Sequence, residues 1–366
     1  MMWIELSDSL PEAFPQPDLL TCSVLQAVAD ASFHGRHVLY GSNGTLSWLL
    51  KQDLSGPAKA AVRRARSNSA VKGSVRQSVR TKLIIEASGS QVFRDDQGNW
   101  HAPIQRMTGV PMLRAEVLAE NTRDVAALKY AALHYRKTND FSAFEVALMS
   151  HNGGGSEILN CFQETLSARE KFTCAVTDSD RDHPTAGPGH ISRECAAESA
   201  AATWICMHFD LPSREMENLL PFNLVYDSIM ASNENASLFE PLGEIASAAA
   251  KRPDILKYMD MKQGTSGSIA SPRESNLERR SFWSKVVNEC DVEDRVCGDE
   301  CASHPCDCRI VPGIGPLVLQ RFLDYCDIIS IPKQIERMKT SAHWDDWLQV
   351  GAQVFDWAQA DQPLRA

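Results

Sequence analysis

The chain has 366 residues, with 37 Lys and Arg against 47 Asp and Glu, for a net charge of −10. A hydrophobic share of 43% and a charged share of 23% describe an ordinary soluble globular protein of two or three domains, and the acidic balance argues against a generic nucleic-acid coat. No apolar run approaches the ~20 residues needed to span a bilayer, and the acidic start MMWIELSDSLPEAF has no basic leader, so a cytoplasmic protein without membrane contact is expected, where disulfides are disfavoured.

Residues 1–108 read as a mixed α/β N-terminal domain. RHVLYGS and TKLIIEAS have strand character, and GPAKAAVRRARSN between them has helical spacing. GSNGT lacks the lysine and spacing of an ATP-binding phosphate loop. Within segment 51–82, Lys51, Lys59, Arg63, Arg64, Arg66, Lys72, Arg76, Arg80 and Lys82 face only Asp53, a local excess of about +8. It reads either as a solvated arm or as a surface for phosphate backbones; no aromatic residue is interleaved for base stacking.

From about Leu113 strands and helices alternate: RAEVLAE strand, TRDVAALKYAALHYRK helix, FSAFEVALMS strand, HNGGGS turn, EILNCFQETLSA helix, KFTCAVTD strand, RECAAESAAATWICMHF helix. The alternation predicts a mainly parallel sheet flanked by helices, with its site outside the carboxyl ends of the strands. LPSREMENLLPFNLV then reads as a turn and a short acidic helix, DILKYMDMKQG as a strand ending near Lys262, and QGTSGSIASPRES as a linker. The domain layout expected is 1–108, 109–265, a linker at 266–280, and a helical C-terminal region at 281–366 carrying a cysteine-rich insertion.

Carboxylates gather at the strand ends. Glu120 and Asp124 flank the first strand-to-helix turn, Asp178 and Asp180 form D-x-D after a buried strand, and Glu215 and Glu217 lie in REMEN. A two-residue spacing along extended chain puts Asp178 and Asp180 on one side, where they could share a hard cation such as Mg²⁺. The same residues also suit plainer roles, as a helix N-cap pair at Asp178 and Asp180 and as helix-entry charges at Glu120 and Asp124. Gly153, Gly154 and Gly155 suit either a phosphate contact through backbone amides or a tight turn. His151, Arg181, His183, His190 and Arg193 are candidates for substrate contact or ordinary structural residues.

The acidic residue in VLAENTRD, the glycine turn in HNGGGSEI and the D-x-D of VTDSD, in that order, resemble the toprim domain. LPSREMENLLP is similar to the R-E-x-E-N segment of OLD-type and stand-alone toprim nucleases. The likeness covers roughly residues 113–265; Asn121 stands where the family usually has glycine, and no Walker-type ATPase loop appears in these residues. The resemblance implies Glu120 as metal ligand or general acid/base, and Asp178 and Asp180 as metal ligands. It gives Asp124 and Glu217 to a second metal position, and makes Lys262 a phosphate-steadying lysine. It implies a Mg²⁺- or Mn²⁺-dependent nuclease, with two ions clamping an in-line displacement, and an effector role in anti-phage or anti-plasmid defence. A nucleic-acid substrate, a separate ATPase or sensor protein, and a homodimer are the implied partners. The alternatives are a catalytically silent regulatory subunit and an RNA-processing toprim enzyme.

Five of the 11 cysteines crowd into CDVEDRVCGDECASHPCDC. In a reducing compartment this pattern suggests structural Zn²⁺ on Cys297, Cys301, Cys306 and Cys308, with Cys290 or His304 as alternates, or else unligated thiols or a redox group. Cys174 and Cys206 lie on apolar segments and are expected in the core.

Overall fold

The structure is a computed structural model and describes residues 2–298, 301 and 307–365, with the side chain of Asn233 left aside. The protein is α/β, with sheets of parallel strands flanked by helices. It divides into two compact units: Met1–Val176 with Glu194–His208 and Val350–Ala366, and Thr177–Arg193 with Phe209–Gln349.

The first unit holds two main sheets. One is built from β1 (Trp3–Leu6), β2 (Val38–Gly41), β3 (Lys82–Glu86), β4 (Phe93–Arg94) and β5 (Trp100–Pro103), in the order β2-β1-β3-β5-β4. All its pairs are parallel except the edge strand β4. Ile4, Leu39, Leu83 and Ile85 are fully buried, each such side chain contributing roughly 1.5–3 kcal/mol. Helices Leu19–Phe33 and Gly56–Ser67 pack together. The contact face of the second is Ala58, Ala61, Val62 and Ala65, small residues at helical spacing. Asp18 and Ser55 cap these helices by accepting the Thr21 and Ala58 amides at 2.7 and 3.2 Å.

The basic segment 51–82 is ordered structure rather than an arm, and six of its nine cations have internal acidic or polar partners, Arg66 donating to the Ser47 hydroxyl at 3.4 Å. Lys72, 3% exposed, lies 2.7 Å from Asp361, and Arg64 lies 3.7 Å from the same carboxylate. Arg76 pairs with Glu5 at 2.7 Å and Arg80 with Asp356 at 4.0 Å. Lys82 donates to the Val79 carbonyl at 2.8 Å.

The second sheet contains β6 (Glu116–Ala119), β8 (Met149–Asn152), β9 (Thr173–Thr177) and β10 (Cys206–Asp210), in the order β10-β9-β6-β8. β6 is parallel to both β8 and β9. Every residue of β6 and β9 is buried, as a parallel strand covered on both faces requires. Two sequence expectations change here. FSAFEVALMS is two strands: β7 (Phe144–Val146) leaves this sheet to pair with Gln359–Asp361, while β8 stays. The expected long helix ends at Ala201, and the rest of the run becomes β10. WICMHF is rich in strand-favouring side chains, and no glycine or proline marks the break.

The second unit is mostly helical. Its core includes Leu224, Val225 and Ile229 on Phe222–Met230, Leu242 and Ile245 on Phe239–Lys251, Trp283 on Leu277–Cys290, and Phe322 on Val318–Ile328. The expected strand at DILKYMDMKQG is instead a short helix, Ile255–Tyr258, followed by a turn. The expected linker supplies β11 (Gly264–Ser266), antiparallel to β12 (Arg309–Pro312). Gly264 has φ +82°, and a side chain there would run into the backbone of residues 311–313.

Candidate active site

Asp178 follows β9 directly, but the chain does not continue extended. The Ser179 and Asp180 amides both donate to the Arg214 carbonyl, at 3.0 and 2.9 Å, and Asp180 is left-handed at φ +55°. The expectation that Asp178 and Asp180 share one side of an extended chain is therefore corrected. A carbonyl that accepts two consecutive amides pulls the chain into a tight turn, which Asp tolerates better than most residues. The buried Ser179 hydroxyl locks this turn by donating to the Ser213 carbonyl at 2.7 Å. Exposed Asp180 folds over Gly189, the residue before helix His190–Ala201; a Cβ on Gly189 would collide with the Asp180 carboxylate. A carboxylate there complements the helix N-terminus.

The turn brings the D-x-D onto REMEN. The Met216 amide donates to Asp178 Oδ1 at 3.1 Å. Met216 lies between Glu215, in extended backbone, and Glu217, in the short helix Met216–Leu219. Lys262 reaches both flanking carboxylates: its Nζ is 3.0 Å from Glu215 Oε2 and 3.3 Å from Glu217 Oε1. Asp260 sets the lysine's backbone by accepting the Lys262 and Gln263 amides at 2.9 and 2.7 Å. Arg214 Nη2 lies 3.7 Å from Asp260 and its Nε 3.6 Å from Glu215. Burial alone would lower the Lys262 ammonium; Glu217 and then Glu215 outweigh it and hold the lysine above its ordinary range. Burial raises the Glu217 carboxyl, with Lys262 opposing.

Sequence reasoning singled out Asp178, Glu217 and Lys262 for this cluster and left Glu215, Arg214 and Asp260 unassigned. The repeat of glutamates in REMEN carried the signal for Glu215. For Asp260 the signal was the D-x-K-Q turn ahead of Gly264, where a carboxylate accepts the amides two and three residues on.

Neighbouring candidates are committed elsewhere. Arg181 pairs with Asp210 at 2.7 Å. His183, 4% exposed, meets Asp182 at 2.7 Å, and Arg279 meets Asp182 at 2.9 Å. Burial alone would raise the Asp182 carboxyl; the hydrogen bonds from Arg279 and His183 hold it below the ordinary range. Arg193 donates to the Pro188 carbonyl, and His190 opens its helix.

In the first unit, half-buried Glu120 directly follows β6. Asp124 closes a capping box: its Oδ2 accepts the Asn121 amide at 3.0 Å and the Asn121 side chain at 2.7 Å. The glycine turn has its amides engaged: Gly153 donates to the Ala119 carbonyl at 2.7 Å, Gly155 to the Glu120 carbonyl at 3.1 Å, and Gly154 to Asn152 Oδ1 at 3.1 Å. That favours the tight turn over a phosphate cradle. His151 lies 3.0 Å from buried Glu116, which also binds Lys171 at 2.6 Å.

Cys297, Cys301 and Cys308 bring their sulfurs within 4.8 Å of one another, an arrangement that can hold a metal such as zinc. Cys306 and His304 lie outside the described residues. Cys290 is half-buried at the end of its helix. Cys174 and Cys206 are core residues at 0% exposure, and burial pushes the Cys206 thiol up to about 11.

Among the described residues the cysteine trio is the group of three or more ligand types that converges to this degree. Glu215 and Glu217 meet Lys262 instead. The place between Glu215 and Glu217 is one where positive charge is favoured. A cavity of about 1000 Å³ in the second unit, lined by Phe222, Tyr226, Leu256, Lys333, Arg337 and Ser341 among others, includes none of the predicted site residues. No helix among the described residues is long and apolar enough to cross a membrane. No family model, curated protein or solved structure matches the chain.

Proposed function

We propose that the chain is a divalent-metal-dependent phosphodiesterase acting on nucleic acid, of the toprim nuclease kind its motifs resemble. The observation that carries this reading is the tether between Asp178 and the Met216 amide. It joins the strand-end D-x-D to a glutamate pair bracketing a lysine, which are the residue types that metal-assisted phosphoryl chemistry uses. Asp178 and Glu217 would hold Mg²⁺ or Mn²⁺, with Asp180 joining them only by leaving its place over Gly189, and the ion would supply charge stabilisation to the phosphate. Lys262 carries positive charge towards the substrate phosphate and offsets the charge of Glu215 and Glu217 before an ion arrives. For Glu120 and Asp124 the resemblance alone suggests a role, to be tested by their own substitutions. DNA and RNA are both within the reading, and the defence role rests on the resemblance alone.

A second reading is a catalytically silent subunit working with a sensor protein. It draws on Lys262 already neutralising Glu215 and Glu217 and on Asp180 serving the start of a helix. The test is incubation of purified protein with Mg²⁺ or Mn²⁺ and plasmid DNA, single-stranded DNA or cellular RNA, beside Glu120→Gln and Asp180→Asn. Asn is chosen at 180 because it tolerates the left-handed backbone. Metal-dependent cleavage by the wild type, lost in both variants, is the outcome expected; metal binding with no cleavage of any substrate favours the silent subunit.

A further inference from the structure

The cysteine trio and Lys262 flank the same antiparallel strand pair, whose two strands are joined by a long connection that carries helix Leu277–Cys290. Lys262 lies two residues before β11 and Cys308 immediately precedes β12. The two strands pair from Gly264↔Pro312 to Ser266↔Arg309, with a bulge after Thr265. The Lys262 carbonyl accepts the Gly315 amide at 3.0 Å, and the Met261 carbonyl accepts the Ile314 amide at 2.9 Å. The far end of the strand pair is stitched to the cysteines: Gly267 donates to the Cys308 carbonyl at 3.0 Å, and the Cys297 amide donates to the Gly267 carbonyl at 3.3 Å. A Cβ on Gly267 would run into the Arg295 carbonyl, so glycine permits this close approach.

The sulfur geometry suits a metal rather than a disulfide. The Cys301 and Cys308 sulfurs are 3.8 Å apart, well beyond an S–S bond of about 2.05 Å. Tetrahedral Zn²⁺ with Zn–S of about 2.3 Å sets neighbouring sulfurs about 3.8 Å apart. Cys297, the third member, is 8% exposed, so its thiolate would be held in a site partly shielded from water.

We propose that Cys297, Cys301 and Cys308 bind Zn²⁺, and that this ion clamps the β11–β12 strand pair and thereby positions Lys262 between Glu215 and Glu217. The three cysteines are positioning residues, and the metal they hold is distinct from the hard cation proposed for the carboxylates. The link to activity rests on the phosphodiesterase reading; the site and the clamp do not. Thiolates take up metal only as they lose protons, so loading strengthens as pH rises.

The test uses the whole protein and needs no substrate. Zinc content is measured on the purified chain, and Co²⁺ is then exchanged into it. The expected result is one zinc per chain and an intense thiolate-to-cobalt charge-transfer band, with Co²⁺ affinity at least tenfold weaker in Cys301→Ser. Amide hydrogen exchange is then followed on the wild type before and after a zinc-selective chelator. Exchange across 261–266 and 309–315 is expected to rise at least tenfold, with little change in Phe222–Met230. Saturating Co²⁺ with no charge-transfer band overturns the site. Metal binding with unchanged exchange across 261–266 overturns the clamp. If both hold and no nucleic acid is ever cleaved, the phosphodiesterase reading fails alone.

Discussion

Two glutamates separated by one residue, both turned to a single lysine, create a balance that depends on each partner. Removing the charge of Lys262 leaves Glu215 and Glu217 facing each other with burial already pushing Glu217 up. Lys262→Met should therefore raise the Glu217 pKa further, seen by side-chain carboxyl NMR, and reduce cleavage by at least tenfold. Because Lys262 is held above its ordinary range, its pairing supports the fold fully below about pH 10.4 and is lost as pH rises through the higher folded value. In the variant that alkaline loss should be absent from pH-dependent denaturation. An unchanged Glu217 titration would contradict the contact. At this scale the sequence disclosed residue types better than their placement. The D-x-D was legible as a strand-end acid pair, whereas the left-handed Asp180 was not, because no glycine announces the turn. It depends on the Arg214 carbonyl, more than 30 residues on in the chain.

Among the elements, those legible in the sequence were the ones with strong period and clear ends. Helix Thr122–Thr138 begins at Asn121, whose side chain accepts the Arg123 and Asp124 amides at 2.8 and 3.2 Å while Asp124 answers back. Asn121→Ala should cost about 1 kcal/mol of stability in urea unfolding, with Asp124→Ala close to it. A cost below the measurement error in both would remove the cap from the account. The same capping bonds explain why Asp124 is present whether or not it ever meets a metal. β10 was misread because an alanine-rich helix runs into it without punctuation, and burial of Ile205 and Cys206 decides its state. The β11 strand was misread because QGTSGS has linker composition; its pairing with β12 is a long-range contact that local composition does not encode.

Over the whole molecule, stability carries two opposing pH limbs, both set in the first unit. His37 is fully buried; its Nδ1 accepts the Met2 amide at 3.0 Å, and its Nε2 donates to the Leu113 carbonyl at 2.7 Å, which requires the neutral ring. Burial lowers its pKa to about 3. Its contribution is therefore full above about pH 6.5 and is lost as pH falls towards 3. Burial raises the Asp356 carboxyl to about 7 despite Arg80. Its contribution is full below about pH 3.9 and is lost as pH rises through 7. Asp356→Asn should therefore gain on the wild type between pH 5 and pH 8 in urea midpoints; a constant gap would contradict this. The α/β class was legible from alternating strands and helices. The return of the chain's last residues to the first unit was not, since it rests on Asp361 meeting Lys72 and Arg64, which no local pattern connects.

The most direct test of the central claim is a Mn²⁺ titration of nucleic-acid cleavage by the wild type and by Asp178→Asn. The Asn side chain keeps an oxygen for the Met216 amide while removing the charge a metal needs. The account predicts saturable, Mn²⁺-dependent cleavage by the wild type and a loss of at least 100-fold in the variant, with both folded alike. Cleavage that persists in Asp178→Asn at the wild-type rate would contradict it.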